Sequence, residues 1–172
     1  MPRRSILTAR QRATLFDLPT DEATLLHHYT LADDDIEHIR TRRQARNRLG
    51  FALQLCAFRY PGGLLMPGEI IPMDASRFLA AQLGERSEDL ACYAETDVTR
   101  RRHLVALRRI YGFKMFSGRG ARDLKAWLER EAETARSNED LARRFVEECR
   151  RTQTILPGFS VIERLCADAP VA

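Results

Sequence analysis

The stretch from residue 40 to residue 60 changes character at its midpoint, and that change limits the possible folds more than any other feature of the 172 residues. Its first half, Arg40-Thr41-Arg42-Arg43-Gln44-Ala45-Arg46-Asn47-Arg48, is almost wholly polar, whereas Leu49-Gly50-Phe51-Ala52-Leu53-Gln54-Leu55-Cys56-Ala57-Phe58 is apolar nearly all round. A helix apolar on every side has no face to give to solvent and must be buried. The spacing predicts one helix from about residue 41 to 60, closed by Pro61-Gly62-Gly63. Its carboxyl half is expected in a core, with its amino half projecting outward. At about 100° per residue, Ala45, Leu49, Ala52 and Cys56 share the core stripe, and Arg43, Asn47 and Gln54 lie opposite.

The rest of the chain punctuates itself as further helices. Thr8-x-x-Gln11 is a capping box, and a helix follows Thr20 with Asp21 and Glu22 in its first turn. Asp33, Asp34 and Asp35 cap a third helix carrying Ile36 and Ile39. Beyond a turn-rich stretch holding Pro67, Gly68 and Pro72, residues 74–83 read as a helix with Gly84 as its cap, and a short one opens at Ser87 and runs to about Ala94. Thr99 is expected to cap a basic helix ending at Gly112. Ser117-Gly118-Arg119-Gly120 reads as a loop, residues 121–135 as a helix, and Ser137-x-x-Asp140 as the cap of the next. Ile155-Leu156-Pro157-Gly158-Phe159 precedes a last short helix. Alternating β-branched runs are missing, so the expected fold class is all-α: two small helix-turn-helix-like units in tandem, residues 1–63 and 72–172, joined by a linker over 64–71.

The 28 Lys+Arg against 24 Asp+Glu leave a net charge of only +4, but the positive charge is nearly all arginine and it is clustered. Arginine's planar fork suits phosphate oxygens and guanine edges better than a lysine ammonium does. Arginines crowded into two turns repel one another unless something negative lies nearby. A second cluster repeats the design. Arg100-Arg101-Arg102-His103 is read as the first turn of a helix whose core stripe is Leu104, Leu107, Ile110 and Tyr111, with Arg108 and Arg109 seven residues beyond Arg101 and Arg102. Cations at a helix amino end oppose its dipole, and such local conflicts tend to mark functional sites. The bland alternatives are a solvated face neutralised by Asp33, Asp34, Asp35 and Glu37, and a salt-bridge network with Glu129, Glu131 and Glu133.

Catalytic chemistry is not visible. Cys56, Cys92, Cys149 and Cys166 are far apart, and His27, His28, His38 and His103 have no zinc-ligand spacing. Adjacent aspartates on a helix point in different directions and do not converge on one ion, and G-x-S-x-G, phosphate-cradling and H-E-x-x-H motifs are missing. No metal, cofactor or catalytic residue is expected. A secretory signal and a membrane span are equally unsupported, so the expected location is cytoplasmic, at the nucleoid.

Several stretches in order along the chain resemble the amino-terminal region of Tn-three family replicative transposases of bacteria. They are Pro2-Arg3-Arg4-Ser5-Ile6-Leu7-Thr8, Phe16-Asp17-Leu18-Pro19, Asp33-Asp34-Asp35-Ile36-Glu37-His38-Ile39-Arg40, Arg46-Asn47-Arg48-Leu49-Gly50-Phe51-Ala52-Leu53-Gln54-Leu55-Cys56, Tyr60-Pro61-Gly62, Leu107-Arg108-Arg109-Ile110-Tyr111-Gly112-Phe113 and Ile155-Leu156-Pro157-Gly158. The resemblance implies helical modules that recognise the terminal inverted repeats of a transposon, and a distant magnesium-binding DDE region that this chain lacks.

Together these readings predict binding to double-stranded DNA, in two successive major-groove contacts. Arg42, Arg43, Arg46, Asn47 and Arg48 are the candidates in the first cluster, with Arg43, Arg46 and Asn47 on bases. Arg101, Arg102, Arg108 and Arg109 are those in the second, with Lys114 and Arg119 on phosphates. The competing expectation is a protein–protein or regulatory module, whose partner is the rest of a transposase or a second copy.

Overall fold

The computed structural model describes residues 5–93 and 97–171, apart from the side chain of Cys92. Pro2, Arg3 and Arg4 of the first resembling stretch, and Ala94 of the short predicted helix, lie outside the described residues. The described chain is helical: α1 (Ala9–Phe16), α2 (Glu22–Tyr29), α3 (Asp33–Arg40), α4 (Ala45–Arg59), α5 (Met73–Leu83), a 3-10 turn η1 (Ser87–Cys92), α6 (Asp97–Tyr111), α7 (Gly118–Ala132), α8 (Asn138–Arg151) and α9 (Phe159–Asp168). Only two isolated parallel bridges, Gly63 with Leu156 and Lys114 with Thr154, have β geometry among these residues.

Two compact units emerge, and they interleave in sequence. One takes Met1–Asp17, Pro61–Gly63 and Lys114–Ala172; the other takes Leu18–Tyr60 and Leu64–Phe113. This differs from a division at residues 64–71. Those residues are not a free tether: Leu65 is buried and its N–H donates to Gln54 Oε1 at 3.0 Å, within the second unit. α5 and α6 therefore belong with α2, α3 and α4.

The first unit closes around Leu124, Leu128, Leu141, Phe145, Val146, Cys149, Ile162 and Cys166, with Leu7 and Leu15 contributed by the early chain. The caps are the expected ones: Thr8 and Gln11 form their capping box, and Ser137 accepts from the Asp140 N–H. α7, however, begins at Gly118 rather than after Gly120. Two glycines weaken a helix start by about 1 kcal/mol each, but Ala121, Leu124 and Leu128 on one buried stripe outweigh that.

The second unit is built on α4. Every residue from Leu49 to Phe58 is buried, as an all-round apolar run requires. Gln54, expected on an outer face, is buried too, at 4% exposure, and uses its side-chain oxygen to satisfy the Leu65 N–H. The helix starts at Ala45, not near Thr41. α3 runs through Arg40, and residues 41–44 form a turn and bend whose Gln44 carbonyl accepts from the N–H groups of Asn47 and Arg48 at 2.9 Å. The arginine-dense half thus straddles a corner between two helices, which spreads charges that one continuous helix would stack.

Asp35 is more than a cap. It is 3% exposed, and its two oxygens accept from Arg59 Nη1 and Nη2 at 2.8 and 2.9 Å and from the Tyr111 hydroxyl at 3.0 Å. Its Oδ2 also accepts the Ala32 N–H at 3.0 Å, so one carboxylate ties α3, α4 and α6 together. Burial opposes its ionisation, but the hydrogen bonds from Arg59, Ala32 and Tyr111 outweigh burial and hold its pKa below the ordinary value of 3.8.

Candidate nucleic-acid interface

Both arginine clusters lie in the second unit. α6 begins at Asp97, two residues before the expected Thr99 cap, so Arg100, Arg101 and Arg102 fall in its second turn rather than at its exposed amino end. Asp97 answers them directly, reaching Arg101 Nη2 at 2.6 Å and Arg100 Nη1 at 3.6 Å. The unfavourable dipole contact inferred from the sequence is thereby removed. Arg100 turns inward and donates to the Leu65 carbonyl, and it is a packing residue. His103, Ala106 and Leu107 form the buried side of the helix, with Leu104, Ile110 and Tyr111 only partly covered.

The other side of α6 is open. Val98, Arg101, Arg102, Val105, Arg108 and Arg109 are all exposed and recur at helical spacing, so they share one outward face. Arg101 and Arg108 stand about 10 Å apart along the axis, two turns of helix. Among the described residues only Arg101 of these four arginines has a carboxylate partner. Val98 and Val105 are 57% and 63% exposed. Sequence reasoning passed over both, although their spacing of seven, matching the arginine rows, was a readable signal.

The first cluster is more committed than expected. Arg48 pairs with Glu85 and donates to the Arg42 carbonyl at 3.1 Å, so it braces the corner and is withdrawn from solvent. Arg46 Nε donates to Gln44 Oε1 at 2.8 Å, and Arg46 and Asn47 are half-buried. Arg43 is exposed in the bend. Arg42 lies over the Phe51 ring, 4.4 Å from its centre, and its pKa is depressed by burial and then by the charge of Arg109. The end of α6 and the bend after α3 therefore share one electrostatic neighbourhood.

An aromatic stack supports that corner. His103 meets Phe51 edge-on at 5.2 Å, stacks on Tyr93 and hydrogen-bonds the Tyr93 hydroxyl through Nδ1 at 2.8 Å. Burial, and after it the charge of Arg42, pushes the His103 pKa down to about 4, so the ring is neutral near pH 7. Gly50 makes room for this packing: a Cβ there would fall 2.0 Å from the Tyr93 ring.

Lys114 and Arg119 belong to the first unit. Lys114 is exposed at its side chain, while its backbone pairs with Gln153 and Ile155. Arg119 sits in the first turn of α7 rather than on a glycine loop, 3.9 Å from Asp123 and largely exposed. No cluster of three or more His, Cys, Asp or Glu able to hold a metal ion occurs among the described residues, nor does a helix long and apolar enough to cross a membrane.

An all-α chain with an arginine-lined helix face is a class met in many nucleic-acid-binding modules. Sequence comparison places it in one family. The model of DUF4158, a domain of unknown function, matches residues 6–169, and the chain belongs to that family. It is 42% identical over 169 residues to the transposase for transposon Tn3926 of Escherichia coli. Identity is 39% over 172 residues with the transposase for Tn501 of Pseudomonas aeruginosa, and 37% over 169 with that for Tn21 of Escherichia coli. Each match covers 98% of this chain but only 17% of the relative, so the chain spans about a sixth of the length of these transposases.

Proposed function

We propose that this chain binds duplex DNA as the recognition part of a DNA transposition system, with the terminal inverted repeats of a transposon as its target and no strand chemistry of its own. The observation that carries this reading is the outward face of α6, where Arg101, Arg102, Arg108 and Arg109 flank Val105 and only Arg101 has a carboxylate partner among the described residues. Arginine forks read guanine in the major groove, and an aliphatic side chain between them suits a thymine methyl group. Arg43 and the bend around it contact the backbone, as do Lys114 and Arg119. Arg48 is a brace. The transposases named above supply the biological setting.

Fluorescence anisotropy with an inverted-repeat duplex and a scrambled duplex, at several salt concentrations, tests it. Specific binding is expected to be tighter by roughly 10³-fold or more, with a steep salt slope. Equal affinity for both duplexes refutes sequence recognition. Arg102→Ala and Arg108→Ala are each expected to cost about 1–3 kcal/mol on the specific duplex.

A second reading, a protein-docking module, is favoured by one separate feature. Met66, Ile70 and Met73 are exposed beside a cavity of about 510 Å³ lined by Leu53, Leu65 and Tyr93. Light scattering after size-exclusion chromatography, with and without duplex, separates the two.

A further inference from the structure

The exposed face of α6 has an order that charge alone does not explain. At about 100° per residue, Val98 and Val105 fall within about 20° of each other and mark the midline of that face. Arg101 and Arg108 lie to one side of the line, and Arg102 and Arg109 lie to the other. Both valines are more than half exposed, so neither gains much burial within the described chain. Valine is also a poorer helix former than arginine or alanine, so the pair costs helix stability. A single exposed aliphatic residue is ordinary. Two in line between rows of guanidinium groups fit a surface that is anionic at its edges and apolar at points along its centre.

The major groove of duplex DNA is such a surface, with phosphates along both edges and the C5-methyl group of each thymine on its floor. A second copy of α6 is disfavoured, because it would set arginine rows against arginine rows. Seated lengthwise, the helix turns its midline to the floor and its arginine rows toward the two strands. Valine is short and touches a base only when the helix lies deep, whereas arginine reaches a guanine edge or a phosphate from either flank. The two valines stand about 10 Å apart along the axis, which is about three base pairs at roughly 3.4 Å each. We infer that Val98 and Val105 each pack on the methyl group of a thymine, the two thymines about three base pairs apart. These contacts fix the register in which the α6 arginines meet the duplex. The inference rests on the proposed DNA binding and adds what that face discriminates.

The test uses the full chain and an inverted-repeat duplex in which deoxyuridine replaces every thymidine, which removes the C5-methyl groups and keeps base pairing. One methyl group taken out of water corresponds to about fourfold in affinity, so the chain is expected to bind the uridine duplex about 15-fold more weakly than the thymidine duplex. The double variant Val98→Ser/Val105→Ser lacks the branched methyl groups at a comparable helix propensity. It is expected to bind the two duplexes within about twofold of each other. Restoring thymidine one site at a time locates the methyl groups that count: Val98→Ser should silence one position and Val105→Ser another, about three base pairs away. A ratio below about twofold for the unaltered chain, with the inverted repeat still preferred over a scrambled duplex, refutes methyl reading and leaves DNA recognition standing. A ratio that survives undiminished in the double variant assigns the methyl contact to another face and refutes it too. No preference for the inverted repeat over the scrambled duplex, with either base, removes DNA recognition itself and this inference with it. Should the double variant fail to fold, Val98→Ala and Val105→Ala replace it, since alanine is the stronger helix former and its side chain is too short to reach the floor.

Discussion

Replacing Asp35 by asparagine probes the joint on which the second unit depends. Each carboxylate oxygen accepts two donors: Oδ1 from Arg59 Nη2 and the Tyr111 hydroxyl, Oδ2 from Arg59 Nη1 and the Ala32 N–H. An amide keeps one of those oxygens and turns the other into a donor, so two bonds are lost and the rest lose their charge assistance. Bonds to a charged group contribute about 1.5–3 kcal/mol each. Arg59 is 32% exposed and recovers part of that loss by turning to water, which leaves a net destabilisation of about 3 kcal/mol. For a chain of this size that lowers Tm by about 6–12 °C. Urea denaturation followed by circular dichroism measures it, and pH gives a second readout. Because the folded pKa of Asp35 lies below 3.8, its stabilising contribution is complete above that pH and is lost as pH falls through the lowered folded value. Asp35→Asn should therefore flatten the acid limb of the stability curve. A loss below about 1 kcal/mol, or an unchanged acid limb, refutes the claim that this carboxylate joins α3, α4 and α6.

Gly50→Ala drives a methyl group into the Tyr93 ring and is expected to cost about 1–3 kcal/mol in the same urea experiment. By displacing the Tyr93 hydroxyl it should also shift the His103 ring resonances. His103 itself should remain neutral in NMR titrations until about pH 4. Since the unfolded chain takes up that proton first, near pH 6.5, stability falls as pH drops from about 6.5 to about 4, and His103→Gln should reduce that fall. Cys56, Cys149 and Cys166 are buried with thiols pushed up to about 12. Peptide mapping of native protein treated with an alkylating reagent should find these three unmodified.

What could be read from the residues was local. The Thr8–Gln11 box, the Ser137 cap, Gly84 and the buried run in α4 follow from side chains within one or two turns of each other, and each stands where periodicity put it. What escaped was set by distant partners. Asp35 looks like a cap in sequence, yet it meets Arg59 and Tyr111, 24 and 76 residues away. Arg48 looked available until α5 delivered Glu85 to it. The compact units differ from a division at residues 64–71 for a related reason: turn-forming residues at 67, 68 and 72 mark a bend in the chain, and a bend does not tell which core the flanking helices join. On the α6 face the arginines stand out by charge, whereas Val98 and Val105 show only through their spacing of seven, which matches the arginine rows.

The interleaved chain path also sets an order of events during synthesis. Once residue 113 has emerged from the ribosome, every segment of the second unit exists, whereas the first unit still lacks α7, α8 and α9. At about 5–20 residues per second the remaining stretch takes several seconds to produce. The arginine-bearing body can be finished, and its guanidinium groups already turned outward, while the strand that will complete its neighbour is still being translated.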